Sequence, residues 1–130
     1  MASNLVVVAY RDGRRLKGST FDFVPTRDKF HLESIDKQVL LVELSELKAI
    51  FFVHDLEGDK ARAKLNEFPD GARVSGRKMR VRFHDGEQML GATQGYDPRR
   101  PGFFLVPADA AGNNQRVFVV AAAVAEIAPA

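Results

Sequence analysis

The stretch VVVAYRDGRRLKGST at residues 6–20 recurs without a gap as MRVRFHDGEQMLGAT at residues 79–93. The offset of 73 places apolar positions on apolar positions and superimposes the two Asp-Gly pairs, at residues 12–13 and 85–86. A match that preserves turn residues and apolar spacing together indicates an internal duplication. The duplication predicts that both halves of the chain form the same structure.

Each copy has the pattern of short β-strands joined by tight turns. The pattern Val-x-Tyr/Phe-x-Asp-Gly begins at Val8 and again at Val81, and the two-residue spacing of its apolar positions is the period of a half-buried strand. The Asp-Gly pair that follows favours a two-residue hairpin turn. Gly18 and Gly91 interrupt the next strand in the two copies and predict a sharp bend or a close backbone approach there.

The remainder of each copy completes a small barrel pattern. The match continues at an offset of 73 as far as Asp36 and Asp109, skips four residues, and resumes at an offset of 77. Five strands joined as a meander, with a tight turn before the last, are the plan of an SH3-like or Sm-like barrel. We therefore predict a mainly β protein of two tandem five-stranded barrels packed together: a first repeat at residues 1–54, a linker at residues 55–77 and a second repeat at residues 78–130.

Three predicted strands are apolar at successive positions, near residues 5–10, 39–42 and 49–53. Strands of this kind are covered on both faces, whereas a small barrel has a core on one face only. Neither repeat alone buries enough surface to be comfortably stable. We expect the sister repeat to cover the second face, with the linker and another chain as the alternatives.

The linker predicts one short helix. Residues 57–68 combine good helix formers with an acidic first turn, and Ala61, Leu65 and Phe68 share one helical face. The Pro-Asp-Gly sequence at residues 69–71 ends the helix. We expect this helix to lie over an open end of a barrel.

Composition excludes several classes of protein. With 19 basic and 17 acidic residues the net charge is +2, which is smaller than a domain devoted to neutralising phosphates usually carries. The chain has no cysteine, so it has no disulfide, thiolate zinc site or thiol nucleophile, and it fits a reducing compartment. No apolar run approaches the roughly 20 residues that cross a bilayer, and the first residues lack a signal peptide pattern. We expect a cytoplasmic protein with no membrane partner.

The sequence shows no recognised catalytic or metal-binding motif. His31, His54 and His84 stand outside any such motif, and residues 54–59 lack the spacing of a zinc helix or a calcium loop. The two turn aspartates recur at the same repeat position, and a residue required identically in both repeats serves the fold. We predict a non-enzymatic protein with no catalytic residue, no metal site and no cofactor.

Basic and aromatic residues supply the candidate binding site. Arg99 and Arg100 stand between two prolines, so they should project from a stiff loop. Phe104 alternates with the inward-facing Phe103 and Leu105, and an exposed ring beside arginines is common at interfaces; the alternative is that it packs on the sister repeat. The candidate binding residues are Arg14, Arg15, Arg80, Arg82, Tyr96, Arg99, Arg100 and Phe104.

Several segments also carry a family resemblance. They are LKAIFFV at residues 47–53, EGD at 57–59, VRFHDGE at 81–87, PGFFLVPAD at 101–109 and RVFVV at 116–120. Over nearly the full chain they resemble an uncharacterised bacterial domain family that is sometimes found in the same polypeptides as PilZ domains. That family has no established activity, so the resemblance transfers no site residue. It implies an accessory or regulatory module of the bacterial cytoplasm.

Three classes of function follow from these observations. The leading prediction is a binding or adaptor module whose partner is another protein or a second copy of the chain. The alternative is binding of RNA or a nucleotide, including a cyclic dinucleotide, through basic and aromatic loops. Arg11 and Arg15 have the Arg-x-x-x-Arg spacing of PilZ domains, but the PilZ partner motif Asp/Asn-x-Ser-x-x-Gly is absent. An enzyme is the third class, with no identifiable acid–base pair.

Overall fold

The computed structural model describes residues 3–54, 56, 76–108 and 114–130. These residues form ten β-strands and two short 3₁₀ helices. The strands are β1 (Asn4–Tyr10), β2 (Arg15–Thr20), β3 (Lys29–Ser34), β4 (Val39–Glu43), β5 (Leu47–Val53), β6 (Arg77–Phe83), β7 (Gln88–Thr93), β8 (Gly102–Pro107), β9 (Asn114–Val120) and β10 (Val124–Pro129), and the 3₁₀ helices are Leu44–Glu46 and Ala121–Ala123. The linker helix predicted at residues 57–68 lies outside the described ranges.

All ten described strands belong to one antiparallel sheet, in the order β10-β6-β7-β8-β9-β5-β1-β2-β3-β4. The prediction of a mainly β protein is confirmed. The predicted arrangement of two tandem small barrels packed together is not confirmed, because β9 of the second half pairs with β5 of the first half in one continuous sheet. That pairing joins the halves edge to edge, and the sheet stays open at its two end strands, β4 and β10.

The two halves have the same strand order and the same register. The matching pairs are Val8–Leu16 with Val81–Met89, Phe30–Val42 with Phe103–Val119, and Val8–Ile50 with Val81–Ile127. These residues differ by 73 up to the third strand of each half and by 77 in the last two strands, which are the offsets of the aligned sequences. Equivalent residues therefore occupy equivalent places in the two halves.

Strand β5 lies between two hydrophobic cores, and all seven of its residues are buried. Ala49, Phe51 and Val53 point into the core built mainly by the second half, while Ile50 and Phe52 point into the core built mainly by the first. This two-sided cover confirms the expectation drawn from its uninterrupted apolar sequence. Burying a large apolar side chain contributes about 1.5–3 kcal/mol, so the junction stabilises both halves.

The same expectation is wrong for β4. Val39 and Leu41 are 64% and 57% exposed, although Val42 beside them is buried. β4 is an end strand of the sheet and pairs with β3. Its sequence therefore resembles that of a strand covered on both faces, while its place in the fold leaves one apolar face in contact with solvent.

The two strand glycines generate a stability prediction. A Cβ on Gly18 would overlap the carbonyl group of Glu33, and one on Gly91 would lie 2.5 Å from the carbonyl oxygen of Val106, the equivalent residue. We expect Gly18→Ala and Gly91→Ala each to lower the free energy of unfolding by about 1–3 kcal/mol. Urea denaturation measures the change. Gly95→Ala is the control, since no heavy atom beyond the adjacent residues lies within 4 Å of a Cβ there; equal stability of all three variants would contradict the close approach.

Candidate functional site

The eight predicted binding residues lie in four places. Arg14 and Arg15 follow the β1–β2 turn, Arg80 and Arg82 lie on β6, Tyr96, Arg99 and Arg100 lie in the β7–β8 loop, and Phe104 follows on β8. Arg80 and Arg82 are exposed and alternate with buried residues of β6. Arg15 lies over the ring of Phe51, 5.5 Å from its centre. The basic residues are therefore distributed over the sheet and its loops.

Most of these arginines have a carboxylate beside them. The pairs are Arg14–Asp12 at 2.8 Å, Arg82–Glu126 at 2.9 Å, Arg99–Asp97 at 3.2 Å and Arg100–Asp97 at 3.9 Å. The hydrogen bond from the Arg99 side chain is the main reason that the pKa of Asp97 lies below its usual value. Exposed ion pairs add little stability, but each places an anion where a nucleic acid phosphate would have to approach.

Phe104 is a contact between the two halves. Its ring centre lies 5.1 Å from that of Phe118, 5.9 Å from that of Phe52 and 6.2 Å from that of Phe23. The guanidinium of Arg116 lies over Phe52 and Phe104, 4.5 and 4.6 Å from the ring centres. Alternation on β8 does turn Phe104 away from its neighbours, and the face it reaches is the core of the first half. The alternative of packing against the sister repeat describes it correctly.

The two Asp-Gly turns border a cleft of about 700 Å³, which we call the turn cleft. It is lined by Tyr10, Arg11, Asp12, Arg14, Ser45, Glu46, Lys48, Phe83, His84, Asp85 and Ala123. Tyr10 and Phe83 are equivalent residues at the ends of β1 and β6. Residues of the two equivalent turns therefore line one space, and residues from both halves of the chain form its wall.

Both turns are three-residue connections, so the prediction of two-residue turns is wrong. The amide of Gly13 donates to the carbonyl of Tyr10 at 3.1 Å, and the amide of Tyr10 donates to the carbonyl of Arg14 at 2.8 Å; the same two bonds form 73 residues later. Of the three turn residues Gly13 alone has a positive φ, 97°, as in a β-turn closed by a left-handed glycine. The extra residue places Arg11, and His84 in the second half, within the turns beside the cleft.

Lys48 connects the first half to the second turn. It is only 6% exposed, and its Nζ lies 2.7 Å from Oδ2 of Asp85 and 3.1 Å from Oε1 of Glu87. The ammonium also lies 4.8 Å from the ring centre of Phe83. A buried charge requires such pairing, since it has lost its hydration. Sequence reasoning missed this residue; the signal was a single lysine within the apolar run LKAIFFV at residues 47–53.

In the first turn, the charged side chains of Asp12 and Arg14 pair with each other. The guanidinium of Arg14 lies 4.4 Å from the ring centre of Tyr10 and pairs with Asp12. Burial is the largest influence on the Tyr10 hydroxyl and raises its pKa, so this group stays protonated at neutral pH. Backbone hydrogen bonding lowers the pKa of Asp12, and the Lys48 side chain lowers the pKa of Asp85. Both turn carboxyls are therefore ionised near neutral pH.

The charges that line the turn cleft balance. The basic residues are Arg11, Arg14 and Lys48, and the acidic residues are Asp12, Glu46 and Asp85. Two aromatic rings add an apolar wall. Across the described ranges, the structure has no group of three or more histidine or carboxylate side chains placed to hold a metal ion. The cleft therefore suits a ligand that carries charges of both signs and an apolar part.

A model of a protein family described as a family of unknown function (DUF6982) matches residues 2–129. The chain belongs to this family. The match spans both halves of the chain and agrees with the resemblance to an uncharacterised domain. No curated protein and no solved structure matches the chain significantly. In the described part of this DUF6982 chain, no helix has the length and apolar character to cross a membrane.

The packing of Phe104 predicts its contribution to stability. We expect Phe104→Ala to lower the free energy of unfolding by about 1.5–3 kcal/mol, because the substitution removes ring contacts to both halves without emptying a fully buried site. Chemical denaturation is the measurement. The control is Phe21→Ala, at a ring that is 57% exposed, for which we expect a change below about 1 kcal/mol. A larger loss at Phe21 than at Phe104 would contradict the packing.

The Lys48 pairing predicts a loss of stability and an altered pH dependence. The folded-state pKa of Asp85 is lowered, chiefly by Lys48, so this carboxylate stabilises the fold above its unfolded pKa of about 4 and ceases to do so as the pH falls through the folded value. We expect Lys48→Met to lower the free energy of unfolding at pH 7 by about 1–3 kcal/mol, with a smaller further loss in acid than wild type.

Denaturation at neutral and acidic pH measures both effects. Lys29→Met is the matched control, since the Lys29–Glu43 pair is exposed and 3.6 Å long, and we expect it to change stability by less than about 1 kcal/mol. If wild type and Lys48→Met lost equal stability in acid, the coupling between Lys48 and Asp85 would be disproved.

Proposed function

We propose that this chain is a non-enzymatic binding module of the bacterial cytoplasm that holds a segment of a partner protein in the turn cleft. The observation that carries the proposal is the cleft itself, a concave site of about 700 Å³ with aromatic walls and charges of both signs. Binding sites are typically concave and partly apolar, with a few polar groups that set specificity. The resemblance of the chain to domains found beside PilZ domains supports a regulatory role for the proposed module.

The balance of charge favours a peptide over a nucleic acid. A phosphate backbone gains affinity by releasing counterions from clustered basic residues, whereas this cleft sets Asp12, Glu46 and Asp85 against its three basic residues. A peptide segment can place an acidic side chain beside Arg11 and a basic side chain beside Glu46, both of which are exposed in the cleft. Mixed charge around an aromatic centre is typical of protein interfaces.

The ionisation of the turn carboxyls favours binding over acid catalysis. A general acid at neutral pH needs a pKa raised toward that pH, but hydrogen bonds lower the pKa of both Asp12 and Asp85. Each carboxylate is also held by a cation, Asp12 by Arg14 and Asp85 by Lys48. These groups are arranged to present fixed charges to a ligand.

The proposal includes an origin by duplication of a five-strand unit of the Sm-like or SH3-like kind. The ungapped sequence match at an offset of 73 and the equal registers of the two halves support it. The absence of cysteine supports a reducing compartment such as the cytoplasm. A duplicated unit provides two equivalent turns, and the space between them is the proposed site.

Substitution in the cleft tests the proposal. Bound proteins are identified by mass spectrometry after capture from extracts of the source cells, and the affinity for the main partner is then measured by calorimetry. We expect Arg11→Glu to weaken that affinity by about tenfold or more. The control is Arg27→Glu, at an exposed position outside the cleft, which should retain wild-type affinity. A partner bound equally by both variants would place its site elsewhere.

The nucleic acid alternative is examined with two probes, labelled single-stranded RNA and cyclic di-GMP. Tyr96 is exposed beside Arg99 and Arg100, so this loop would supply stacking and basic contacts. Tight binding of either probe that falls steeply with salt, and that is lost when Arg99→Ala is combined with Arg100→Ala, would establish the alternative in place of the peptide site. Weak binding of both probes, unaffected by that double substitution, is the result we expect.

A further inference from the structure

The junction inside the chain shows how two five-strand units fit together. β9 of the second half pairs with β5 of the first, with Phe118 opposite Ile50. The Phe118 ring is fully buried and lies 5.0 Å from the ring centre of Phe23. β9 thus completes the sheet edge of β5, and Phe118 closes one end of the first-half core.

Among the described strands, none covers the second half in the equivalent way. Its counterpart of Phe23, at the offset of 73, is Tyr96. Tyr96 packs edge-on against Phe103 at 5.1 Å and 83°, as Phe23 packs against Phe30 at 5.3 Å and 82°. Tyr96 nevertheless remains 42% exposed. The difference arises because β10, the counterpart of β5, is an end strand of the sheet.

The end strand on the opposite side of the sheet, β4, carries the counterpart of Phe118. At the offset of 77, Leu41 on β4 is the counterpart of Phe118. Leu41 and its neighbour Val39 are large, apolar and mostly exposed. Exposed apolar side chains on an end strand mark a surface that pairs with another strand. At one end of the described sheet, the chain therefore has the edge strand β10 with Tyr96 exposed beside it, a surface that we call the β10 socket. At the other end it has the edge strand β4, with Val39 and Leu41 exposed.

We propose that copies of this chain associate head to tail, with β10 of one copy pairing antiparallel to β4 of the next in the register of the β5–β9 junction. That register places Ile127 opposite the partner's Leu41, whose side chain then covers Tyr96. The partner is a second copy because its β4 is equivalent to the strand that already fills this place inside the chain. This contact does not involve the turn cleft.

The backbone groups at both edges are oriented for this pairing. The amide of Ala130 donates to the carbonyl of Lys78 on β6 at 3.1 Å, so alternate residues of β10 face β6 and Ile127 faces the open edge. The amide of Leu44 donates to the carbonyl of Asp28 at 2.8 Å, so by the same alternation Leu41 faces away from β3. Both residues of the central proposed pair thus direct their N–H and C=O groups outward.

The geometry also limits the strength and form of the assembly. Pro129 has no N–H, so it cannot extend the hydrogen-bond ladder as a donor. Association therefore depends mainly on burial of the apolar side chains Leu41, Val39 and Tyr96. Because the two surfaces differ, each copy keeps one free end after pairing, and the assembly closes into a ring or extends as a filament.

Sedimentation velocity of the full chain and three variants tests the proposal. We expect wild type to sediment above the chain mass of 14.4 kDa as its concentration is raised. We expect Leu41→Lys and Tyr96→Lys each to be monomeric, since each variant disables one of the two surfaces. The control is Val106→Lys on β8, an interior strand, where the side chain is 52% exposed; this variant should associate like wild type.

Mixing the two disabled variants is the decisive experiment. The Leu41→Lys copy retains its β10 socket and the Tyr96→Lys copy retains its β4 strand, so an equimolar mixture should form a dimer of twice the chain mass and no larger species. Recovery of the dimer also shows that both variants are folded. A wild type that is monomeric at every concentration, or a mixture that stays monomeric while both variants melt like wild type, would overturn the proposal.

Discussion

The backbone pairing of β5 with β9 holds the two halves of this structure together. It turns two five-strand units into one sheet of ten described strands, and it covers β5 on both faces. Phe118 and Val120 cross the junction into the first-half core, while Phe51 and Val53 cross it in the other direction. Each half therefore completes its core with side chains of the other, and neither core is complete when the halves are separated.

The same pairing creates a single site from two equivalent turns. In the first half Asp12 pairs with Arg14 of its own turn, whereas Asp85 of the second turn pairs with Lys48 from the other half. The counterpart of Lys48 at the offset of 77 is Ala125, so the second half carries no matching cation. The two turns are therefore chemically different, and the turn cleft lies where they differ.

Local sequence rules account for much of the fold. The repeated pattern Val-x-Tyr/Phe-x-Asp-Gly predicts the strands and their equivalence, and the strand glycines predict the close crossings that Gly18 and Gly91 make. The turns show the limit of such rules. Asp-Gly indicates a turn correctly, but the residue before it, Arg11 in the first half, also enters the turn because the strand register closes on Tyr10 and Arg14.

Features that depend on neighbouring residues follow from the sequence: the strands, the turns, the bends and the repetition of one unit. The choice of which strand edges pair does not, because backbone N–H and C=O groups are the same in every sequence. An edge strand is matched to its partner by the packing of side chains that are distant in the sequence. For this reason β5 and β4, which are similarly apolar in sequence, differ in burial. β5 lies enclosed between two cores, whereas Leu41 of β4 is exposed at the open edge of the sheet. Likewise only the fold places Lys48 beside Asp85, 37 residues further along the chain.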